Sequence, residues 1–406
     1  MLLLVNFLLF LFYVSQLKRS IFILLPIYYH FVTCYTLLGS KYYDFSEKVP
    51  FDFYLSLNDE SISYMAYTFS IAAFFFFIGV LFTSNFREKS VGLDFNKARY
   101  ILSKLSSIKI LSIYLFVILC LHIGHGVSHI YFREGYLIGD AGNKYFRIIY
   151  SSLLPVSLML LPFLKNKALR MTLFIALFFL VFGTSSRNII LIPVSYCFGV
   201  LIRDNKIGFL RGGGTVASVV ILSAAALQYR FNQFQGVIPN AIELFTNGIN
   251  MDFVFLAINY LSSFSFFASA LTVQNFPLDM PAFYSSINPL PSSFIDVEHM
   301  IAVQKLNQNA PFPAIGTLAQ GGVFFVSIYY FLLGFCWSKF AGDLIKRSKI
   351  IAFFVYVFFL LFMVLSIQYN LRSVTRYIYY ILFFSMIFKV FRIIVFNLRQ
   401  HEKSFK

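Results

Sequence analysis

The feature that most constrains this chain is a recurrence of long apolar stretches from end to end, separated by short polar breaks. A helix needs about 20 predominantly apolar residues to cross the hydrocarbon core of a bilayer. Eleven candidate spans can be read: 2–16, 21–39, 64–82, 110–130, 148–164, 172–185, 189–202, 214–231, 323–342, 350–369 and 377–396. The composition agrees, with 59% hydrophobic and only 12% charged residues and a mean hydropathy of +0.76. Soluble domains carry about a quarter charged residues, so a soluble enzyme is excluded. Disorder is excluded as well, because too much apolar surface would stay in water. The expectation is an all-α polytopic membrane protein of about 11 transmembrane helices (10–12), forming a single membrane-embedded domain over 1–406.

Segment 2–16 is short enough to resemble the apolar core of a signal peptide. It lacks a basic start and a small-residue cleavage site, and it runs almost directly into a second apolar segment, so it reads as a helix. Segments 172–185 and 189–202 read as one helical hairpin broken at Ser185-Ser186-Arg187-Asn188.

The net charge of +16 would suggest nucleic acid in a soluble protein. In a membrane protein the question is on which side the charges lie. Loops alternate sides, and one set (17–20, 83–109, 165–171, 203–213, 343–349 with Lys339, and the tail from Lys389) holds 23 of the 33 basic residues and five of the 17 acids. The positive-inside rule places that set in the cytoplasm, with the N-terminus outside and the C-terminus inside. No nucleic-acid partner is expected.

The segment 232–322 then becomes an outer-face loop of about 90 residues. Loops that long are uncommon in compact domains and are usually functional or disordered; this one is too apolar for disorder, so an ordered, partly helical cap is expected. Within it, Phe253–Val273 is apolar enough to span. If it did, the basic tail would move outside, so it reads as a re-entrant or interfacial segment, weakened as a lipid-facing helix by Asn259, Ser262, Ser263 and Ser265. No internal repeat appears, which weighs against the duplicated folds of many transporters. Cys34, Cys120, Cys197 and Cys336 lie within apolar spans, so neither a disulfide framework nor a thiolate metal site is supported.

Candidate chemistry sits with the few outer-face charges. Arg133, Arg147, Arg187, Arg230, Arg372 and Arg376 lie at or near span ends. Arginine is costly at membrane depth and usually faces a cavity or a partner. Its planar fork suits phosphate and carboxylate, so several at one level can hold a diphosphate; anchoring to outer-leaflet head groups or pairing with outer acids is the alternative. Arg372 and Arg376 share a helix face at i,i+4. His122, His125, His129 and Arg133 fall on one helical stripe by spacing, with Gly124 and Gly126 between them, which suits either a polar cavity wall or an acid–base histidine. The loop adds Asp296-Val297-Glu298-His299, where Glu298 or His299 can supply a general base, although a solvated loop tip looks the same. There is no HExxH, GxSxG, GxGxxG or P-loop pattern, and no metal site or nucleotide-binding domain is expected.

In this layout the sequence resembles the Wzy-type oligosaccharide repeat-unit polymerases of O-antigen and capsule clusters. The resemblance rests on the span count with one large late outer loop and on Gly183-Thr184-Ser185-Ser186-Arg187. It rests also on Asn288-Pro289-Leu290-Pro291-Ser292, on Gly316-Thr317-Leu318-Ala319-Gln320-Gly321-Gly322 entering the next span, and on Arg372 and Arg376 at the start of the last span. The RX15G loop spacing of some members is not met by Arg230 and Gly248.

The resemblance implies a GT-C-like glycosyltransferase in the bacterial inner (plasma) membrane with its site on the periplasmic face. It would join undecaprenyl-diphosphate-linked repeat units into O-antigen or capsular polysaccharide, without a cofactor. Donor and acceptor glycolipids, membrane lipids, a chain-length-determinant protein and a flippase are the implied partners. Diphosphate binding would fall to Arg187, Arg230, Arg372, Arg376, Arg133 and Arg147, and base catalysis to His299 or Glu298 first and His125 or His129 second. An O-antigen ligase-type transferase shares the layout and arginine usage, and a lipid-linked oligosaccharide flippase or transporter would also use a basic cavity.

Overall fold

The computed structural model describes residues 1–17, 19–42, 56–83, 96–135, 142–185, 187–204, 208–307, 310–346 and 349–404. Residues 84–95 of the basic loop 83–109 lie outside the described residues, as does the side chain of Arg187. The chain is an all-α, membrane-embedded protein, and each of the eleven apolar segments is helical. Six helices among the described residues are long and apolar enough to cross a membrane: Ile21–Ser40, Asp59–Leu81, Ser107–His125, Lys144–Phe163, Leu210–Gln228 and Val323–Ile345. Several other expected spans are too short to pass. Leu2–Gln16 has 15 residues, and the expected hairpin falls into Lys167–Gly183 and Leu191–Asp204, of 17 and 14 residues.

Polar residues immediately before the apolar runs set where the helices start. A side-chain oxygen at the N-cap accepts one of the N–H groups that the first turn leaves unpaired. Asn58 does this for Asp59–Leu81, Ser106 for Ser107–His125, Asn143 for Lys144–Leu160 and Asn166 for Lys167–Gly183. Asp59 and Glu60 add negative charge at the positive end of their helix.

The chain forms two compact units, Met1–Leu93 with Asn259–Lys406, and Asp94–Ile258. The loop 232–322 is divided between them. In the first unit the central pair is Asp59–Leu81 against Val323–Cys336, brought into backbone contact by two glycines. A Cβ on Gly79 would lie 2.2 Å from the Phe331 carbonyl oxygen, and one on Gly334 would lie 2.1 Å from that of Phe76. Small residues at such crossings allow dispersion contacts along the whole pair, which is what drives helix association in lipid. Trp337, fully buried among Phe358, Phe359 and Phe362, closes one end of this core in a π-helical turn, Trp337–Ala341.

The expected re-entrant run 253–273 is broken into Met251–Ser262 and Phe264–Asn275. In the second helix every residue from Phe264 to Thr272 is buried in protein, the setting in which a segment of this polarity is tolerated at membrane depth. It packs on Asp59–Leu81 and Ala314–Gln320. Two of its hydroxyls bond back one turn, Ser269 Oγ to the Ser265 carbonyl at 2.6 Å and Thr272 Oγ1 to that of Ala268 at 2.8 Å. Gly316 permits the close approach, since a Cβ there would sit 3.0 Å from Ser269 Cα. A sharply bent helix pair does occur earlier, where Val237–Thr246 and Met251–Tyr260 meet at 117°.

Much of the rest of the loop is built of short helices and a strand pair. Met280–Ile287 and Glu298–Val303 pack together, and a two-stranded pairing of Lys305–Asn307 with Ala310–Pro311 leads into Ala314–Gln320.

Candidate functional site

The unit Asp94–Ile258 holds the histidine stripe and four of the arginines. The stripe is not continuous. Gly126, at φ +80°, ends Ser107–His125, and His129 belongs to the separate helix Val127–Tyr131. The three histidines accordingly have different surroundings. His122 is half-buried, with Nδ1 2.8 Å from the Ile118 carbonyl and Nε2 3.2 Å from the Tyr131 hydroxyl. His125 is buried against the edge of Tyr150, with Nδ1 3.2 Å from the Leu121 carbonyl. His129 is half-buried and its Nδ1 lies 3.2 Å from Ser128 Oγ. Residues at i, i+3, i+7 and i+11 share one face only along an unbroken helix, and Gly126 interrupts this one.

Arg133 is buried and donates four hydrogen bonds. Nη1 reaches the carbonyls of His129 at 3.0 Å and Gly183 at 2.7 Å, and Nη2 reaches the Thr184 carbonyl at 3.2 Å and Gln235 Oε1 at 3.1 Å. A guanidinium has four terminal N–H donors, so all four are committed within the protein. Two of the acceptors are carbonyls left open at the C-terminal end of Lys167–Gly183, where the helix dipole also favours a cation. Asn240, fully buried, donates to the Phe182 carbonyl at 3.0 Å and to Ser185 Oγ at 3.2 Å. Ser185 itself adopts a left-handed φ of +51°. The turn is therefore pinned from two sides immediately before Arg187, which opens the short helix Arg187–Ile190. Gly183 is required there by space, since a Cβ would lie 2.5 Å from Val237 Cγ2 and 2.7 Å from the Val237 backbone nitrogen. Arg147 and Arg230 are half-buried, the latter in Tyr229–Phe231 with its carbonyl accepting from Gln235 Nε2 at 3.1 Å.

The other candidates lie in the unit that contains Asn259–Lys406. Arg372 is buried at the start of Leu371–Ser404. It donates from Nη1 to the carbonyls of Ser285 (2.6 Å) and Asn288 (3.2 Å), and from Nη2 to that of Leu290 (2.7 Å). It thus holds the Asn288-Pro289-Leu290 turn from beneath. Two further residues of the same helix are engaged. Tyr379 donates to the Ile287 carbonyl, and the Thr375 and Tyr329 hydroxyls lie 3.0 Å apart. Arg376, half-buried one turn beyond Arg372, makes no hydrogen bond or ion pair among the described residues. Of the two arginines the sequence singled out here, Arg372 holds the loop, whereas Arg376 has no such contact among the described residues.

Met280–Ile287, the helix whose C-terminal end Arg372 and Tyr379 hold, carries a second polar group at its N-terminal end. Asp279 is its N-cap, with Oδ1 accepting from the Ala282 amide at 2.8 Å, while Oδ2 lies 3.0 Å from His299 Nε2. The Ala282 N–H, more than the neighbouring imidazole, holds the Asp279 carboxyl below its ordinary value despite a partly opposing desolvation. The His299 side chain is half exposed, at 52%. Glu298 is exposed and its amide donates to Asp296 Oδ1 at 2.8 Å. Asp279 was missed by sequence reasoning because its partner lies 20 positions away. The signal available was Asp279-Met280-Pro281, an N-cap residue with proline in the first turn.

Among the described residues no three histidines, cysteines or acids converge as metal ligands do. The chain matches no known protein family, no curated protein and no solved structure.

Proposed function

We propose that this protein is a glycosyltransferase that polymerises undecaprenyl-diphosphate-linked oligosaccharide repeat units into O-antigen or capsular polysaccharide. On this reading it is a GT-C-like, eleven-span protein of the bacterial inner membrane. Its N-terminus is periplasmic, its C-terminus is cytoplasmic, and its site lies on the periplasmic face. Donor and acceptor glycolipids, membrane lipids, a chain-length determinant and a flippase are its partners.

One observation carries the reading. Within one unit, the eight-residue helix Met280–Ile287 has an imidazole–carboxylate pair at its N-terminal end and the arginine-bearing start of Leu371–Ser404 at its C-terminal end. At 1.5 Å per residue the helix is about 12 Å long, so a ligand that touches both ends is larger than a diphosphate alone. A sugar diphosphate with an acceptor beside it is such a ligand. The uncommitted guanidinium of Arg376 supplies fixed positive charge for the departing lipid diphosphate, the term expected to matter most in such a transfer. His299, or Glu298 beside it, takes the proton of the acceptor hydroxyl. Arg372 and Arg133 act one step removed, by holding the turns at 285–290 and 183–185. The other unit carries, within itself, an alternative set: Arg187, Arg147 and Arg230 as diphosphate ligands, with His125 or His129 as base.

Deleting the gene is expected to leave glycolipid carrying a single repeat unit on the outer leaflet, with the polymer ladder gone. A normal ladder would refute the reading. Accumulation on the inner leaflet would point to a flippase, and loss of transfer to the final lipid acceptor with polymerisation intact would point to a ligase.

A further inference from the structure

We infer that Asp279 is a positioning residue for His299: it fixes the imidazole as the Nε2–H tautomer and so makes Nδ1 the atom that accepts a proton. The inference rests on the transferase reading for its chemistry, and on geometry alone for the tautomer. An ionised carboxylate is only an acceptor, and Asp279 Oδ2 lies 3.0 Å from Nε2, so Nε2 must carry the hydrogen. The carboxylate is not free to turn away, because its other oxygen is committed to the Ala282 amide at 2.8 Å. Nδ1 has no partner among the described residues, and half of the side chain is open to the outside. A neutral imidazole held in this way has one lone pair, at Nδ1, directed away from its orienting group.

The same logic operates wherever a buried acid sets the tautomer of a catalytic histidine, with the two ring nitrogens exchanged here. In the transfer, the acceptor hydroxyl gives its proton to Nδ1 while its oxygen bonds to the anomeric carbon of the donor. The bond from that carbon to the diphosphate breaks, and its electron pair leaves on the diphosphate oxygen. The imidazolium that forms keeps Nε2–H on Asp279, where the negative charge stabilises it, and it returns the Nδ1 proton to water. Asp279 touches neither substrate nor reacting atom.

Asp279→Asn is the informative variant. Asparagine is as good an N-cap as aspartate, so its carbonyl oxygen retains the Ala282 bond and the helix start is kept. Its amide then faces Nε2 with N–H groups, which makes Nε2 the acceptor and moves the ring hydrogen to Nδ1. The experiment uses full-length protein in lipid nanodiscs with 15N-labelled histidine, and His299→Gln assigns the signal. Wild type is expected to show a protonated Nε2 and an unprotonated Nδ1, and Asp279→Asn the reverse. With a synthetic polyprenyl-diphosphate oligosaccharide as substrate, Asp279→Asn is expected to lower kcat about 10²-fold or more with KM unchanged. Asp279→Ser, which keeps a cap but offers Nε2 nothing, is expected to fall between.

A wild-type ring with its hydrogen on Nδ1, or an Asp279→Asn enzyme with wild-type kcat, overturns the inference. If wild-type protein makes no polymer, the transferase reading fails instead, and the nitrogen signals still decide whether Asp279 sets the tautomer.

Discussion

Replacing Arg372 by methionine should open the loop it holds while leaving the spans intact. The side chain is 5% exposed and gives three hydrogen bonds, to the carbonyls of Ser285, Asn288 and Leu290 at 2.6, 3.2 and 2.7 Å. Hydrogen bonds from a charged donor contribute about 1.5–3 kcal/mol each. They do not add fully, and water recovers part of the loss at carbonyls near the surface. A net of about 3 kcal/mol is therefore a fair expectation, which at 1.4 kcal/mol per tenfold is an increase of about 10² in local opening. Methionine keeps much of the apolar stem volume, so the packing of Leu371–Ser404 on its neighbours changes little.

The assay is amide hydrogen exchange of full-length protein in nanodiscs, comparing a peptide covering 284–292 with one from Asp59–Leu81. The first should exchange about 10² faster in the variant and the second should not change. An unchanged 284–292 peptide would refute the clamp. Uniformly faster exchange throughout the chain would refute the idea that the effect is local.

Three further outcomes follow from the same geometry. Gly334→Ala places a methyl 2.1 Å from the Phe76 carbonyl oxygen, and overpacking of that kind typically costs about 1–3 kcal/mol, so a lowered thermal midpoint in detergent is expected. An unchanged midpoint would mean the two helices separate without cost.

The Asp279 carboxyl is held below its ordinary value, so its contribution to the helix start is complete above the unfolded value of about 3.9 and is lost as pH falls through the lower folded value. Exchange across 280–287, corrected for intrinsic rate, should be flat from pH 7 to 5 and rise below about 4. In Asp279→Asn the rise should be absent. Arg376→Ala, which removes no hydrogen bond or ion pair among the described residues, should shift stability by no more than about 0.5 kcal/mol while abolishing polymer. A large drop in melting temperature would recast it as structural.

The helices were legible because apolar run length and Asn/Ser caps are local signals. The side-chain economy was not. Arg133 and Arg372 were read as ligands for phosphate, and each instead meets a cluster of carbonyl oxygens. A guanidinium satisfies either in the same way, and nothing in the residue's own neighbourhood says which acceptors the fold will bring. The histidine stripe was drawn across Gly126, whose positive φ breaks the helix; the glycine was visible but its backbone angle was not. Phe264–Asn275 belongs to a run apolar enough to span, and its hydroxyls weaken it only as a lipid-facing helix; the protein that encloses it comes from elements distant in sequence. Finally, the partner of His299 is a residue far along the chain, joined through the packing of two short helices.

The central claim is tested most directly by giving the purified protein, in liposomes, a single polyprenyl-diphosphate oligosaccharide and no nucleotide. The products are separated by size and the released polyprenyl diphosphate is counted. The account predicts a ladder spaced by one repeat unit, with one lipid diphosphate released for each new linkage and no product from Arg376→Ala. A ladder equally strong with Arg376→Ala, or lipid diphosphate that stays attached to unchanged single units in the wild-type reaction, would contradict it.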